Sequence, residues 1–323
     1  MKFDVVVGNP PYHREDGGGR ESAAVPLYDK FVDVSKSVSG RYTSIIIPAR
    51  WYSGGRGLDD FRETMISDTH LYQLHDFPET KDCFDGLNIR GGVCYFLRDT
   101  QHNGPCEVFN ASNGVEQSQK RLLKEGDIEV FIRYNQAISI LRKVQKFNEE
   151  TFDKYVSSSR PFGMRSNFSE YVLEKSATHP IKLYRFGALG YIDSSKVTRL
   201  DNLIDKYKVL VSKASPGGDD YPHSIVSKPI VSEPNSVCTE TYLVIKEVAS
   251  KQEAANLVSY IKTRFFRFMM SLIKNTQNIS KKSYGLVPVQ DFSKSWTDAE
   301  LYKKYSITPE EQKFIESIIR PME

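Results

Sequence analysis

An α/β fold is predicted for this chain of 323 residues, and three features carry the prediction. Short β-branched runs alternate with helical-period segments through the first hundred residues. Glycine and proline punctuate the joints between them. Beyond about residue 110 the texture changes to short strands mixed with longer helices, the mark of a second unit. The run Phe3-Asp4-Val5-Val6-Val7 predicts a strand buried on both faces, as in a parallel sheet. Residues 24–38 place Leu27, Phe31, Val34 and Val38 on one helical face, and residues 42–48 (YTSIIIP) predict a second buried strand stopped by its proline. Leu58, Phe61 and Met65 mark a short helix, and residues 71–77 and 92–97 two further strands. The order describes one flank of a parallel sheet that ends in an antiparallel pair.

In the second half, a helix is expected over residues 128–147, followed by a Ser/Arg/Gly-rich segment at 157–167. Strand-like pieces follow at 181–186, 208–212, 230–232 and 240–245. A single helix over 251–273 is predicted by Val258, Ile261, Phe265, Phe268 and Leu272, with the aromatic residues read as core. Thr308-Pro309-Glu310-Glu311 is a capping-box start for a last helix. Glycine runs at 17–19, 53–57 and 215–220 read as loops. None has the spacing of a dinucleotide phosphate cradle.

With 39% hydrophobic and 26% charged residues the composition is that of a globular protein. No stretch approaches the roughly 20 apolar residues that cross a bilayer, and no basic-then-apolar leader opens the chain, so a cytoplasmic protein without a membrane partner is expected. Cys83, Cys94, Cys106 and Cys238 show neither metal-ligand nor disulfide spacing and read as reduced thiols, and the six histidines are scattered, so no metal is expected. Net charge is only +3. Its distribution is more telling: Lys262, Arg264, Arg267, Lys274, Lys281 and Lys282 fall in a stretch without one acidic residue. Such a cluster reads either as a solvated helix face or as a phosphate-binding surface.

The strongest chemical signal is Asn9-Pro10-Pro11-Tyr12, directly after the first strand. One reading is a strand stop, with Tyr12 covering the core. In the other, the Asn9 side-chain carbonyl and a backbone carbonyl beside a proline accept hydrogen bonds from an exocyclic amine. Those bonds draw the nitrogen lone pair out of ring conjugation and make it nucleophilic. Tyr12 offers a face for stacking, and the prolines fix the carbonyl direction. No general base of tuned pKa is required, because the nitrogen loses its proton after attack.

The segment 3–12 (FDVVVGNPPY) resembles the catalytic motif of adenine-N6 DNA methyltransferases, specifically the Eco57I-like methylases of restriction-modification systems. Residues 42–51 (YTSIIIPARW) and 87–99 (LNIRGGVCYFLRD) are similar to that family's following strands. Residues 161–168 (PFGMRSNF), 238–244, 282–292 and 296–305 resemble its target-recognition half. The resemblance implies a Rossmann-like methyltransferase sheet, here its C-terminal half at 1–115, followed by a mixed α/β target-recognition domain at 116–323. It also implies S-adenosyl-L-methionine (SAM) as cofactor and double-stranded DNA as partner. A flipped adenine would sit against Asn9, Pro10 and Tyr12. The family's glycine-rich SAM turn lies upstream of this strand, where the present chain has only Met1-Lys2. The expectation is therefore a chain without the main SAM motif: a truncated product, an expression fragment or half of a split enzyme, inactive by itself, with a bare Val5-Val6-Val7 edge.

Lys262, Arg264, Arg267, Lys281 and Lys282 are the expected phosphate contacts; Arg160, Arg165 and Asn167 sit on a Ser/Gly-rich loop that reads first as a solvated loop and second as a reader of base edges in the major groove. A DNA-recognition module without chemistry of its own is the alternative. A nuclease is disfavoured: residues 126–130 (GDIEV) lack the required lysine.

Overall fold

The N-terminal run forms the edge of a six-stranded sheet, rather than a strand covered on both sides. The computed structural model describes residues 2–322 except 15–24, 56, 88, 90, 113–114, 217–221 and 275–277, so the glycine run at 17–19 and most of that at 215–220 lie outside it. The chain divides into two compact units, Met1–Ser139 and Ile140–Glu323.

In the first unit, β1 (Phe3–Gly8) is followed by a two-residue pair, β2 (His13–Arg14) with β3 (Val25–Pro26). Helix α1 (Tyr28–Val38), β4 (Ser39–Pro48), α2 (Asp59–Ser67), β5 (Leu71–Phe77), β6 (Val93–Asp99), β7 (Cys106–Ser112) and β8 (Val115–Arg121) complete it. The sheet order is β1-β4-β6-β5-β7-β8. β1 pairs in parallel with β4, β6 runs antiparallel between β4 and β5, and β7 is parallel to β5. The expected boundary near residue 115 falls later because β7 and β8 add a hairpin to this sheet.

Side-chain alternation makes the sheet two-sided. Ile45, Ile47, Leu74, Phe96 and Val108 are buried in one cluster with Tyr28 and Val32 of α1 and Phe61 and Met65 of α2. Trp51 lies edge-on to Phe61 and stacked on Phe131, and closes this core. The other face carries Val5, Val7, Ile46, Tyr95, His75 and Phe109, all exposed or half-buried. There the His75 ring is sandwiched between Tyr95 at 4.4 Å and Phe109 at 4.1 Å, a ladder of rings across β6, β5 and β7. Phe3, Val5 and Val7 are 52%, 55% and 71% exposed, since β1 has one neighbour and this face of it no cover among the described residues. The buried side of α1 also differs from expectation. The helix starts at Tyr28 and buries Tyr28, Asp29 and Val32, leaving Phe31 and Val34 exposed.

Helix α3 (Asn135–Gln145) begins later than expected and crosses the division between units. The segment before it is coil, tied down by hydrogen bonds from the Arg121 guanidinium to the carbonyls of Ile132 and Arg133 and to the Asn135 side chain. Two three-stranded sheets form the second unit. β9 (Ile181–Arg185) lies between β10 (Ala188–Ile192) and the later β13 (Ser236–Cys238). β11 (Tyr207–Ser212) lies between β12 (Ile230–Ser232) and β14 (Tyr242–Val248).

The expected long helix is two, α4 (Lys251–Lys262) and α5 (Arg264–Ser271). Thr263 breaks it with an extended backbone (ψ 148°), and its Oγ1 accepts the Phe266 N–H, an N-cap inside the apolar repeat. Phe265, Phe266 and Phe268 are fully buried, as core residues should be. Helices α6 (Asp298–Lys304) and α7 (Pro309–Ile318) both start with capping boxes, the latter from Thr308 and Glu311. Among the described residues no helix is long and apolar enough to cross a membrane, and no three His, Cys, Asp or Glu side chains are grouped to hold a metal.

A cation is buried in the second unit with no carboxylate bonded to it among the described residues. Lys208 is fully buried, and its ammonium donates to the carbonyls of Ile204 and Lys206 and to Ser236 Oγ. Burial pulls its pKa down to about 8, partly offset by Cys238 and Asp205. In the unfolded chain the amine titrates near ~10.4, so between these values the unfolded state binds more protons and this residue's contribution to stability rises with pH. Denaturant titrations of wild type and Lys208→Met should show their stability difference changing by up to roughly 3 kcal/mol between pH 7.5 and 10.5, in favour of wild type at the alkaline end. A pH-independent difference would show that the amine titrates normally.

Candidate functional site

A cleft of about 620 Å³ opens at the C-terminal end of β1. Asn9, Pro10, Pro11 and Tyr12 line it from the strand end, His13 and Arg14 from the pair that follows, and Phe84, Leu87 and Ile89 from the loop between β5 and β6. The four residues of the predicted motif thus share one cavity, and they meet an apolar loop that sequence reasoning did not assign to the site. Asn9 is exposed, with its amide available to the cleft, whereas Tyr12 is half-buried against the sheet core. The Tyr12 carbonyl accepts the Leu27 N–H at 3.1 Å, which fixes the backbone beyond the prolines. Burial raises the Tyr12 pKa, so the ring is a neutral phenol at physiological pH.

The loop from 80 to 92 is held by side chains underneath it. Thr80 Oγ1 donates to the Ile89 carbonyl at 3.0 Å and accepts the Ile89 N–H at 3.1 Å, closing the loop across its neck. The Thr80 carbonyl accepts the Phe84 N–H, and the Ile89 carbonyl accepts the Gly92 N–H. Gly92 sits at φ +80°, where a Cβ would lie 2.1 Å from the Phe77 carbonyl oxygen, so only glycine lets the chain turn into β6 there. One further strut comes from Arg133. Its Nη1 donates to the Gly91 carbonyl at 2.9 Å, while Nε and Nη2 form a two-point pair with the fully buried Asp76 at 2.7 and 2.8 Å. Tyr52 Oη and the Asn110 amide complete the shell of Asp76. Burial alone would lower the Arg133 pKa. The adjacent Asp76 carboxylate more than reverses that and keeps the guanidinium charged.

The expected DNA contacts separate into three groups. Arg160, Arg165 and Asn167 lie on one loop gathered around Glu240: Arg160 Nε donates to Glu240 Oε2 at 2.9 Å, and Oε1 accepts the Ser166 N–H at 3.2 Å. The Arg160 guanidinium holds the Glu240 carboxyl below the usual range. Lys281 and Lys282 are exposed on a short turn capped by Ser280. Lys281 lines a second cleft, of about 610 Å³, with Tyr155, Arg199, Leu200, Asn202 and Glu247. Lys262, Arg264 and Arg267 lie at the α4–α5 break, and here the expectation needs correction. Arg267 is fully buried, and its guanidinium donates to the carbonyls of Lys262, Thr263, Ser224 and Arg320, so it holds the fold together and cannot reach a phosphate. Arg264 is half-buried and paired with Glu316 at 3.5 Å. A charge at helical spacing among Phe265, Phe266 and Phe268 was the available sign of burial.

The first unit is thus a mixed sheet covered by helices on one face, with an amide, two prolines and an aromatic ring at the end of an edge strand. Residues 1–84 match the family of Eco57I restriction-modification methylases, which bears out the resemblance carried by the first strand and its tetrapeptide. An uncharacterized adenine-specific methylase of Mycoplasma pneumoniae is 32% identical over 106 residues, 32% of this chain and 25% of that protein. The type II methyltransferase M.PstI of Providencia stuartii is 28% identical over 106 residues, 30% of this chain and 21% of that protein. Among solved structures, the type IIL restriction-modification enzyme MmeI in complex with DNA aligns over 88% of this chain and 46% of its own, at TM-score 0.45 and 9% identity. The type IIG restriction endonuclease BpuSI aligns over 94% and 49%, at TM-score 0.38 and 12% identity. Over about a third of its length the chain is similar to proteins named as an adenine-specific methylase and a type II methyltransferase, and the matched region spans about a quarter of those curated relatives.

Thr80→Val removes both hydrogen bonds at Ile89 while preserving side-chain shape. Amide exchange at Ile89 and Gly92 should accelerate by about tenfold or more, for a loss of roughly 1–3 kcal/mol in local closure. Unchanged protection would show that packing alone holds the loop.

Proposed function

We propose that this chain carries the base-binding wall and a DNA-reading unit of a site-specific adenine-N6 DNA methyltransferase of a restriction-modification system. The observation that carries the reading is the cleft at the end of β1, where Asn9, Pro10, Pro11 and Tyr12 stand together within the segment that matches the methylase family. Asn9 offers an amide carbonyl to the two N–H groups of an exocyclic amine, with a backbone carbonyl of the proline pair as second acceptor. Accepting a hydrogen bond from each N–H localises the lone pair on nitrogen and points it out of the ring plane. Tyr12 supplies a ring face for the base, and Phe84, Leu87 and Ile89 exclude water around it. An adenine reaches such a cleft only by leaving the duplex stack, because its amine is engaged inside a base pair.

SAM, the donor in this family, supplies an electrophilic methyl group when bound. The described residues do not fit as its cradle. Among the described residues no glycine-rich turn leads from β1 into a helix, and the outer edge of β1 is unpaired there, with Phe3, Val5 and Val7 exposed. We therefore assign the donor site to a segment that pairs with β1 and covers the bare sheet face with its ladder of rings. The second unit is the DNA reader in this scheme, with Arg160, Arg165, Asn167, Lys281 and Lys282 as its contacts and Lys262 and Arg264 in support.

Titration calorimetry of the 323-residue chain with SAM should show no micromolar binding. Methyl transfer to DNA should appear when a SAM-binding segment is supplied, in cis or in trans. Sequence-specific DNA binding with no transfer under any complementation would favour a recognition module instead. In the reconstituted enzyme, Asn9→Ala should abolish methylation with DNA affinity largely intact, read by tritiated-methyl incorporation and by gel shift. Tyr12→Ala should weaken capture of an extruded base by roughly 1–3 kcal/mol, read by 2-aminopurine fluorescence, with Tyr12→Phe near neutral.

A further inference from the structure

Arg160 combines features that a solvated loop arginine does not need. Its backbone is in the left-handed region at φ +58°, a costly conformation for a residue other than glycine. The loop that carries it is fastened at both ends. Ser157 donates its N–H to the Val244 carbonyl at 2.8 Å and accepts the Val244 N–H on Oγ at 3.0 Å, and the Met164 carbonyl accepts the Glu240 N–H at 3.0 Å. Between these fastenings Phe162 and Met164 are buried in the core with Leu183, Val237 and Cys238. Gly163, at φ +94°, lies so close to Thr198 that a Cβ would stand 2.0 Å from its Oγ1. Arg160 is therefore presented by a rigid apex.

Its side chain is fixed just as firmly, but at one point only. Nε donates to Glu240, whose other oxygen is engaged by Ser166, and the two terminal amino groups have no protein partner among the described residues. The side chain remains 43% exposed. An arginine held through Nε by a carboxylate keeps its terminal fork planar, oriented and free, which is the arrangement required for two-point donation to the O6 and N7 atoms of a guanine in the major groove. A phosphate contact needs no such support, since a flexible cation serves as well.

We propose that Arg160 reads a guanine of the DNA target, with Glu240 as the positioning residue that aims its fork. This rests on the reading of the second unit as a DNA reader, and the experiment separates the two. The full chain is used to select duplexes from a randomised pool, and wild type is compared with Arg160→Ala, Arg160→Lys and Glu240→Gln. The expected result is a consensus in which one G·C pair loses its weight for both Arg160 variants. Affinity for the selected duplex should fall roughly 5- to 100-fold, while affinity for duplexes altered at that pair changes little. Glu240→Gln should relax preference at the same pair and no other. An unchanged consensus, with affinity lowered equally on every duplex and the salt slope reduced by about one, would make Arg160 a phosphate contact and overturn the proposal. Lost preference at several pairs in all three variants would mean that the loop itself had shifted, and would overturn it too. A wild-type chain that selects no sequence overturns the DNA-reader reading and this inference with it.

Discussion

A carboxylate with no exposed surface stays in a protein core only where every lone pair is met, and Asp76 shows what that demands of the first unit. It projects from β5 into the packed side of the sheet, where Arg133 grips it at two points and Tyr52 and Asn110 take up what remains. Each of these partners comes from a different part of the chain. Tyr52 follows β4, Asn110 is on β7, and Arg133 comes from the coil that leads into α3. Meeting one buried charge thus gathers the sheet and the exit segment around a single point. Removal of either ionic partner would leave the other stranded in a medium where an unpaired charge is very costly. Because Arg133 also holds the Gly91 carbonyl, the same pair reaches the loop that lines the cleft at Asn9. Site geometry is in this sense a by-product of burying an ion pair.

Above this anchor the described residues cover the sheet on one side only. Two helices and a tryptophan cover the face of Ile45, Leu74 and Phe96, while Val5, Ile46, Tyr95, His75 and Phe109 stand on a face that gains little from folding. Stacked rings partly compensate, since they shield one another across strands without any third layer. The cleft at Asn9 sits where this half-covered sheet meets its free edge, so strand end, proline pair and edge lie in one region.

Much of the first unit was legible in sequence because its strands are short, β-branched and separated by strong punctuation. β5 spans the residues that the pattern marks, and β4 and β6 differ from it only at their ends. The tetrapeptide was legible as a unit at the strand end, and its cleft partners were not: Phe84, Leu87 and Ile89 arrive through a loop whose path is set by Thr80 and Arg133, contacts distant in sequence or local to a fold not yet formed. Period alone put α1 on the wrong face, because Tyr28, Asp29 and Val32 make a buried stripe as regular as Phe31 and Val34 do. The break at Thr263 was hidden by an unbroken apolar repeat, although a threonine before a new run of helix formers is a capping residue by chemistry. Arg267 misled most plainly. Charge on a basic stretch suggested phosphate, and four backbone carbonyls at the ends of helices and loops turned out to be its partners.

The fastened loop around Arg160 carries an implication for how such a protein changes over generations. Its two ends are tied by backbone bonds and by buried Phe162 and Met164, none of which depends on which side chains occupy the apex. Residues 158–160 and 165–167 can therefore drift while the scaffold beneath them stays as it is. Under the role proposed for Arg160, a change at the apex matched by a change at position 240 would hand descendants a new target in two steps, with no interval in which the framework is lost.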